Sequence, residues 1–128
     1  MSVRCFRGNA ELAGIDPANR GLAYGDGVFE TMRVHRGELP LWPRHLARLR
    51  EGAERLGIRL PGIEFIEARV AEFIAGCNAG VLKLLLTRGS GGRGYSAAPA
   101  TEADWMLALH PLPPAIPGGL RLVWCDTP

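Results

Sequence analysis

The sequence predicts an α+β domain: a largely antiparallel sheet with a pair of helices. Three observations carry this. Strand-like segments fill the region before residue 43, helical periodicity is confined to the middle, and strand-like segments return after residue 80. The regular alternation of strand and helix that a doubly wound sheet needs is missing.

Taken in order, Val3 and Cys5 alternate with Arg4 as the first strand. Gly8-Asn9 turns the chain into the short apolar piece Leu12–Ile15, and Asp16-Pro17-Ala18-Asn19 has turn chemistry. Tyr24-Gly25-Asp26-Gly27 punctuates the chain before Val28–Val34, rich in β-branched and aromatic residues. Arg36-Gly37 reads as a hairpin tip, with Glu38 to Trp42 as its returning limb. Pro43 suits a first helical turn. Leu46, Leu49, Ala53 and Leu56 then recur at steps of three, four and three on one face, and Gly57 stops the helix. A second helix is expected from Ile63 to Cys77, burying Ile66, Val70, Phe73, Ile74 and Cys77. Strands are expected again at Val81–Thr87, Trp105–Leu109 and Leu120–Cys125. The Pro-rich connection His110–Gly119 admits no helix.

Composition narrows the function. The 128 residues form one domain or a piece of one, with 47% hydrophobic and 22% charged residues; that is enough apolar surface for a real core, which excludes a disordered tail. A net charge of +2 gives no basis for nucleic acid or an anionic membrane as partner. Cys5, Cys77 and Cys125 lack metal or disulfide spacing, and the first residues lack a signal-peptide pattern, so a reduced cytoplasmic setting is expected. Lys83 is the single lysine, the other cationic side chains being arginines.

Several motifs compete with plain structural readings. Gly89-Ser90-Gly91-Gly92-Arg93-Gly94 matches the dinucleotide fingerprint in letters, but no helix follows to hold a pyrophosphate. A Gly-rich loop that places Arg93 and Tyr95 near a ligand fits better. Arg44 and Arg50 read as a solvated helix face, whereas Arg48, between Leu46 and Leu49, borders the buried face and can offer its fork to a carboxylate or phosphate. His35, His45 and His110 show no metal spacing. Asp26, between two glycines, reads as a turn former. Lys83, within an apolar strand, faces either solvent or a pocket.

Three segments in order resemble the N-terminal half of the fold-type IV pyridoxal phosphate enzymes: Arg20-Gly21-Leu22-Ala23-Tyr24-Gly25-Asp26-Gly27-Val28-Phe29-Glu30-Thr31-Met32-Arg33, His45-Leu46-Ala47-Arg48-Leu49, and Leu84 to Tyr95. That group includes branched-chain and D-amino-acid aminotransferases and aminodeoxychorismate lyase, and Thr87 to Tyr95 looks most like the lyase. Asn19 departs from the Asp common before the Arg-Gly pair.

The resemblance implies a homodimeric enzyme that cleaves 4-amino-4-deoxychorismate to 4-aminobenzoate and pyruvate for folate synthesis. By matching position, Arg48 would bind the phosphate of pyridoxal 5'-phosphate. Tyr24, Phe29, Thr31, Arg33 and Lys83 would face the substrate, and Arg93 and Tyr95 would lie on a loop reaching the neighbouring subunit's substrate. The family's Schiff-base lysine belongs to a C-terminal domain, and Lys83 does not match it. Residues 1–128 are therefore expected to be the N-terminal domain of a two-domain enzyme, with no catalytic residue in this chain. The alternatives are an aminotransferase of the same fold and a non-catalytic binding or assembly domain.

Overall fold

The computed structural model describes residues 2–92, 94, 96 and 102–126. Five strands form one antiparallel sheet: β1 (Ser2–Arg7), β2 (Ala10–Leu12), β3 (Gly27–His35), β4 (Ala79–Thr87) and β5 (Asp104–His110), in the order β2-β1-β5-β4-β3. Three helices complete the described structure: α1 (Arg20–Tyr24), α2 (Trp42–Leu56) and α3 (Ile63–Ile74). The α+β class read from the sequence is the class observed.

Alternation along the strands divides the sheet into two unlike faces. Met32 and Val34 of β3, Leu82, Leu84 and Leu86 of β4, and Trp105 and Leu107 of β5 turn to one side and are buried. Leu49 and Ala53 of α2 and Ile66, Val70 and Ile74 of α3 close over them. Trp105 stacks on Phe6 with centroids 4.2 Å apart, Phe65 meets both edge-on, and the Trp105 indole donates to the Gly8 carbonyl. Helix α2 comes close enough to β3 that a Cβ at Gly52 would sit 3.0 Å from a Val28 methyl. Glycine at that position sets the spacing of the layers.

Several expectations need correction. Residues Arg20–Tyr24 form a short helix: Asn19 Oδ1 accepts from the Gly21 amide to start it, and Gly25, at φ +67°, ends it. The Arg36-Gly37 tip has both residues at positive φ, as a tight hairpin turn requires, but its return limb is a single bridge from His35 to Glu38. Pro40 lacks a donor, and α2 starts at Trp42. Helix α3 ends at Ile74 because Ala75 is extended and Gly76 left-handed, leaving Phe73 and Cys77 half-buried. Leu12 belongs to β2, but Ala13–Ile15 leaves the sheet, and Leu56 is exposed on the last turn of α2. Residues Leu120–Cys125 form no strand: β5 already pairs with β1 and β4, and Trp124 is 99% exposed.

Candidate functional site

Glu30 is a charged residue in an apolar stripe. It occupies β3 on the helix-covered face, beside Met32 and Val34, and is buried. Its carboxylate is met by α2, where His45 and Arg48 lie three residues apart on one face. Arg48 Nε donates to Oε1 at 2.7 Å and Nη2 donates to Oε2 at 2.6 Å, while His45 Nδ1 donates to the same Oε2 at 2.6 Å. Burial pushes the Glu30 carboxyl up, and the hydrogen bonds from Arg48 and His45 outweigh it, so the group is held below the usual glutamate value. The far end of Arg48 remains open, with its side chain 68% exposed.

The uncovered face of the sheet carries most of the other candidates. Phe29, Thr31 and Arg33 alternate along β3 and are all exposed. In the ladder Thr31 pairs with Lys83, Arg33 with Val81 and Phe29 with Leu85. Lys83 therefore faces the open side, and its Nζ lies 4.6 Å from the centre of the Phe29 ring. That answers the question its strand position left open. Arg33 and Lys83 give this patch cationic character. Arg48 stands on the other side of edge strand β3, so the structure gathers Phe29, Thr31, Arg33 and Lys83 and separates Arg48 from them by one strand.

Tyr24 has a different neighbourhood. Its hydroxyl accepts from the Gly94 amide at 3.1 Å, and Arg20 both covers its ring and donates to the Gly94 carbonyl at 3.0 Å. Both sides of one loop residue are thus tied to α1. Arg93 and Tyr95 lie outside the described residues. Asp26 does more than form a turn: its carboxylate accepts from Arg20 Nε and from Arg88 Nε and Nη2, and Arg88 also donates to the Leu56 and Gly57 carbonyls. This cluster joins α1, the end of β4 and the end of α2. Sequence reading passed over Glu30 and Arg88. The signal for Glu30 was an acid in phase with the apolar alternation of Val28, Met32 and Val34, on the face that must be buried.

A cavity of about 250 Å³ lies between α1 and the sheet, lined by Ile15, Leu22, Leu85 and Met106, with Asn19 and Asp104 below. The polar groups there are committed to one another and to Arg7, so the cavity offers apolar surface. Among the described residues no cluster of His, Cys, Asp or Glu could hold a metal ion, and no helix is long and apolar enough to cross a membrane.

The sheet is covered on one side, with an arginine fork at its edge and a cationic patch on its open face. The sequence profile of amino-transferase class IV matches residues 27–126, and the chain belongs to that family. It is 33% identical over 79 residues to an aminodeoxychorismate lyase of Vibrio harveyi, covering 61% of this chain and 29% of that protein. It is also 33% identical over 84 residues to a D-alanine aminotransferase of Listeria monocytogenes, covering 62% and 28%. Among solved structures, the 4-amino-4-deoxychorismate lyase of Pseudomonas aeruginosa superposes with a TM-score of 0.68 at 41% identity, covering 85% of this chain and 40% of that one. The chain thus spans less than a third of the length of these curated relatives.

Proposed function

We propose that residues 1–128 are the N-terminal domain of a pyridoxal phosphate-dependent 4-amino-4-deoxychorismate lyase. The complete enzyme would be a cytoplasmic homodimer serving folate synthesis. The observation that carries the reading is the fork of Arg48, fixed by a buried carboxylate at the edge of β3. The cofactor fits these residues in one respect that can be tested on the structure: Arg48 is anchored on one edge and exposed on the other, as a phosphate-binding arginine must be. When bound, the cofactor supplies an electron sink for breaking bonds at the substrate's amino-bearing carbon.

The chain's own residues bind and orient. Arg33 and Lys83 attract the carboxylates of a chorismate-derived ring, and Phe29 offers it an aromatic edge. Tyr24 and Arg20 hold Gly94 by its amide and its carbonyl. Lys83 is not assigned as the reacting lysine, because its place on the N-terminal strand β4 does not match that of the family's Schiff-base lysine. That amine belongs to a domain beyond residue 128. The identity of 41% with the Pseudomonas aeruginosa lyase supports lyase over aminotransferase chemistry.

The test is made on the complete polypeptide, given 4-amino-4-deoxychorismate, with release of 4-aminobenzoate followed by fluorescence. Release of 4-aminobenzoate and pyruvate in equal amounts is the expected result. Transamination of D-alanine or branched-chain amino acids without 4-aminobenzoate release would replace this reading with the aminotransferase one. Residues 1–128 alone, treated with pyridoxal phosphate and borohydride, should show no stoichiometric adduct by intact mass. An adduct on Lys83 would overturn the placing of the reacting amine elsewhere.

A further inference from the structure

Arg48 leaves α2 on a long rotatable stem, and an arginine that is not anchored samples many rotamers. One carboxylate removes that freedom. The paired contacts from Nε and Nη2 to Glu30 fix the plane of the guanidinium as well as its position. They use one edge of the fork, and Nη1 forms no hydrogen bond within the described residues. His45, on the same turn of α2, donates to Oε2 and fixes the carboxylate in its turn. Packing does not call for an acid here. Glu30 stands in line with Met32 and Val34, and burying a carboxylate among such neighbours is unfavourable without compensating donors.

We propose that Glu30 is a positioning residue, which presents the free edge of Arg48 to a phosphate monoester while His45 holds Glu30. The inference rests on the reading of Arg48 as the phosphate-binding residue and deepens it, assigning the selectivity of that site to a residue that touches no ligand. Two effects oppose each other at this site. Glu30 brings a negative charge near a phosphate dianion, so bare electrostatics predicts tighter anion binding without it. Preorganisation predicts weaker binding, since a loose guanidinium must be ordered by the ligand itself.

The experiment compares pyridoxal phosphate with pyridoxal, which carries the same aldehyde without the phosphate, by equilibrium dialysis against the complete polypeptide. The ratio of the two affinities isolates the phosphate. Glu30→Gln, which keeps the shape, should lower that ratio roughly five- to tenfold while leaving pyridoxal binding unchanged. The Arg48 Nε–H resonance should lose its protection from solvent exchange in the same variant. A ratio that stays level or rises overturns the proposal, because a purely structural role would weaken both aldehydes alike. If Glu30→Gln does not fold, Glu30→Asp keeps the charge and withdraws it by one methylene. The ratio should fall there too, and an unchanged ratio is equally fatal. Arg48→Gln separates the two layers of the argument. If it leaves the ratio unchanged, Arg48 is not the phosphate residue and both readings fall. If it collapses the ratio while the Glu30 variants do not, only the positioning role is lost.

Discussion

Asn19 Nδ2 donates to Asp104 Oδ2 at 2.9 Å, and both side chains are buried. The other end of the same amide accepts from Gly21, and Arg7 forks onto Asp104 from β1. One residue thus has to donate on one side and accept on the other, which asparagine does and aspartate at neutral pH cannot. That is the physical reason for asparagine at a place where the resembling motif commonly has aspartate. Asn19→Asp would set two carboxylates against each other with one arginine between them. We expect a loss of roughly 2–4 kcal/mol in urea denaturation at neutral pH. Equal stability of the two proteins would mean that the amide is not donating to Asp104.

Arg88 is predicted to matter more for the end of α2 than for any ligand. It joins Asp26 to the Leu56 and Gly57 carbonyls, where a cation also meets the negative end of the helix. Lysine at 88 keeps the charge and loses the fork. Arg88→Lys should cost about 1–3 kcal/mol, with amide exchange quickening at Gly57 and Ile58 before it does in β5. Uniform quickening across the sheet would argue against a local tie.

Two carboxylates set an acid limit on stability. Hydrogen bonds from Arg88, then burial acting the other way, then Arg20 leave Asp26 below its ordinary value of 3.8. For Glu30, burial opposes the shift and Arg48 with His45 outweigh it, leaving the group below its ordinary 4.5. A depressed folded value means that the native state binds protons less readily than the unfolded chain. The stabilisation is therefore full above about pH 4.5 and is lost as pH falls through the folded values. Urea melts taken stepwise from pH 6 downward should show this slope, shallower in Asp26→Asn and Glu30→Gln. Identical acid slopes in all three proteins would refute the assignment.

The sheet and helices were legible because their signals are local. Alternation in Val28–Val34, the three-four spacing of Leu46, Leu49 and Ala53, and Gly57 each act within a few residues. Helix α1 was equally local, with Asn19 and Gly25 as its two caps, but five residues give no periodicity to notice. The Glu38–Trp42 and Leu120–Cys125 segments have strand-like composition, yet a strand exists only where another supplies its partner, and that information is not local. The same limit separates the site residues. Phe29, Thr31 and Arg33 share a face by simple alternation. That Lys83 joins them depends on the register of β4, and that Glu30 meets Arg48 depends on how α2 crosses β3.

The open face of the sheet makes a prediction about association. Val3 and Phe29 are exposed on this face, and Leu120, Leu122, Val123 and Trp124 are exposed on the chain that follows β5. Residues 1–128 alone should self-associate in sedimentation velocity at rising concentration. A monodisperse monomer throughout would show that this surface does not need a cover.

Gly21 is predicted to be irreplaceable for a reason that can be separated into parts. The start of α1 presses on the end of β4 so closely that a Cβ at position 21 would overlap the Thr87 methyl and lie 2.8 Å from its Cβ. Thr87 cannot rotate away freely, because its hydroxyl donates to the Asp104 carbonyl and accepts from the Gly89 amide. Gly21→Ala should therefore lose about 2–4 kcal/mol, despite alanine's better helix propensity. Thr87→Ser removes the offending methyl and keeps both hydrogen bonds, so it should be mild on its own. Combined, the two substitutions should recover part of the loss, giving a favourable coupling of about 1 kcal/mol in a double-mutant cycle. The recovery stays partial because the Thr87 Cβ, which serine retains, still stands too close. Additive losses would mean that α1 shifts as a body to admit the new methyl.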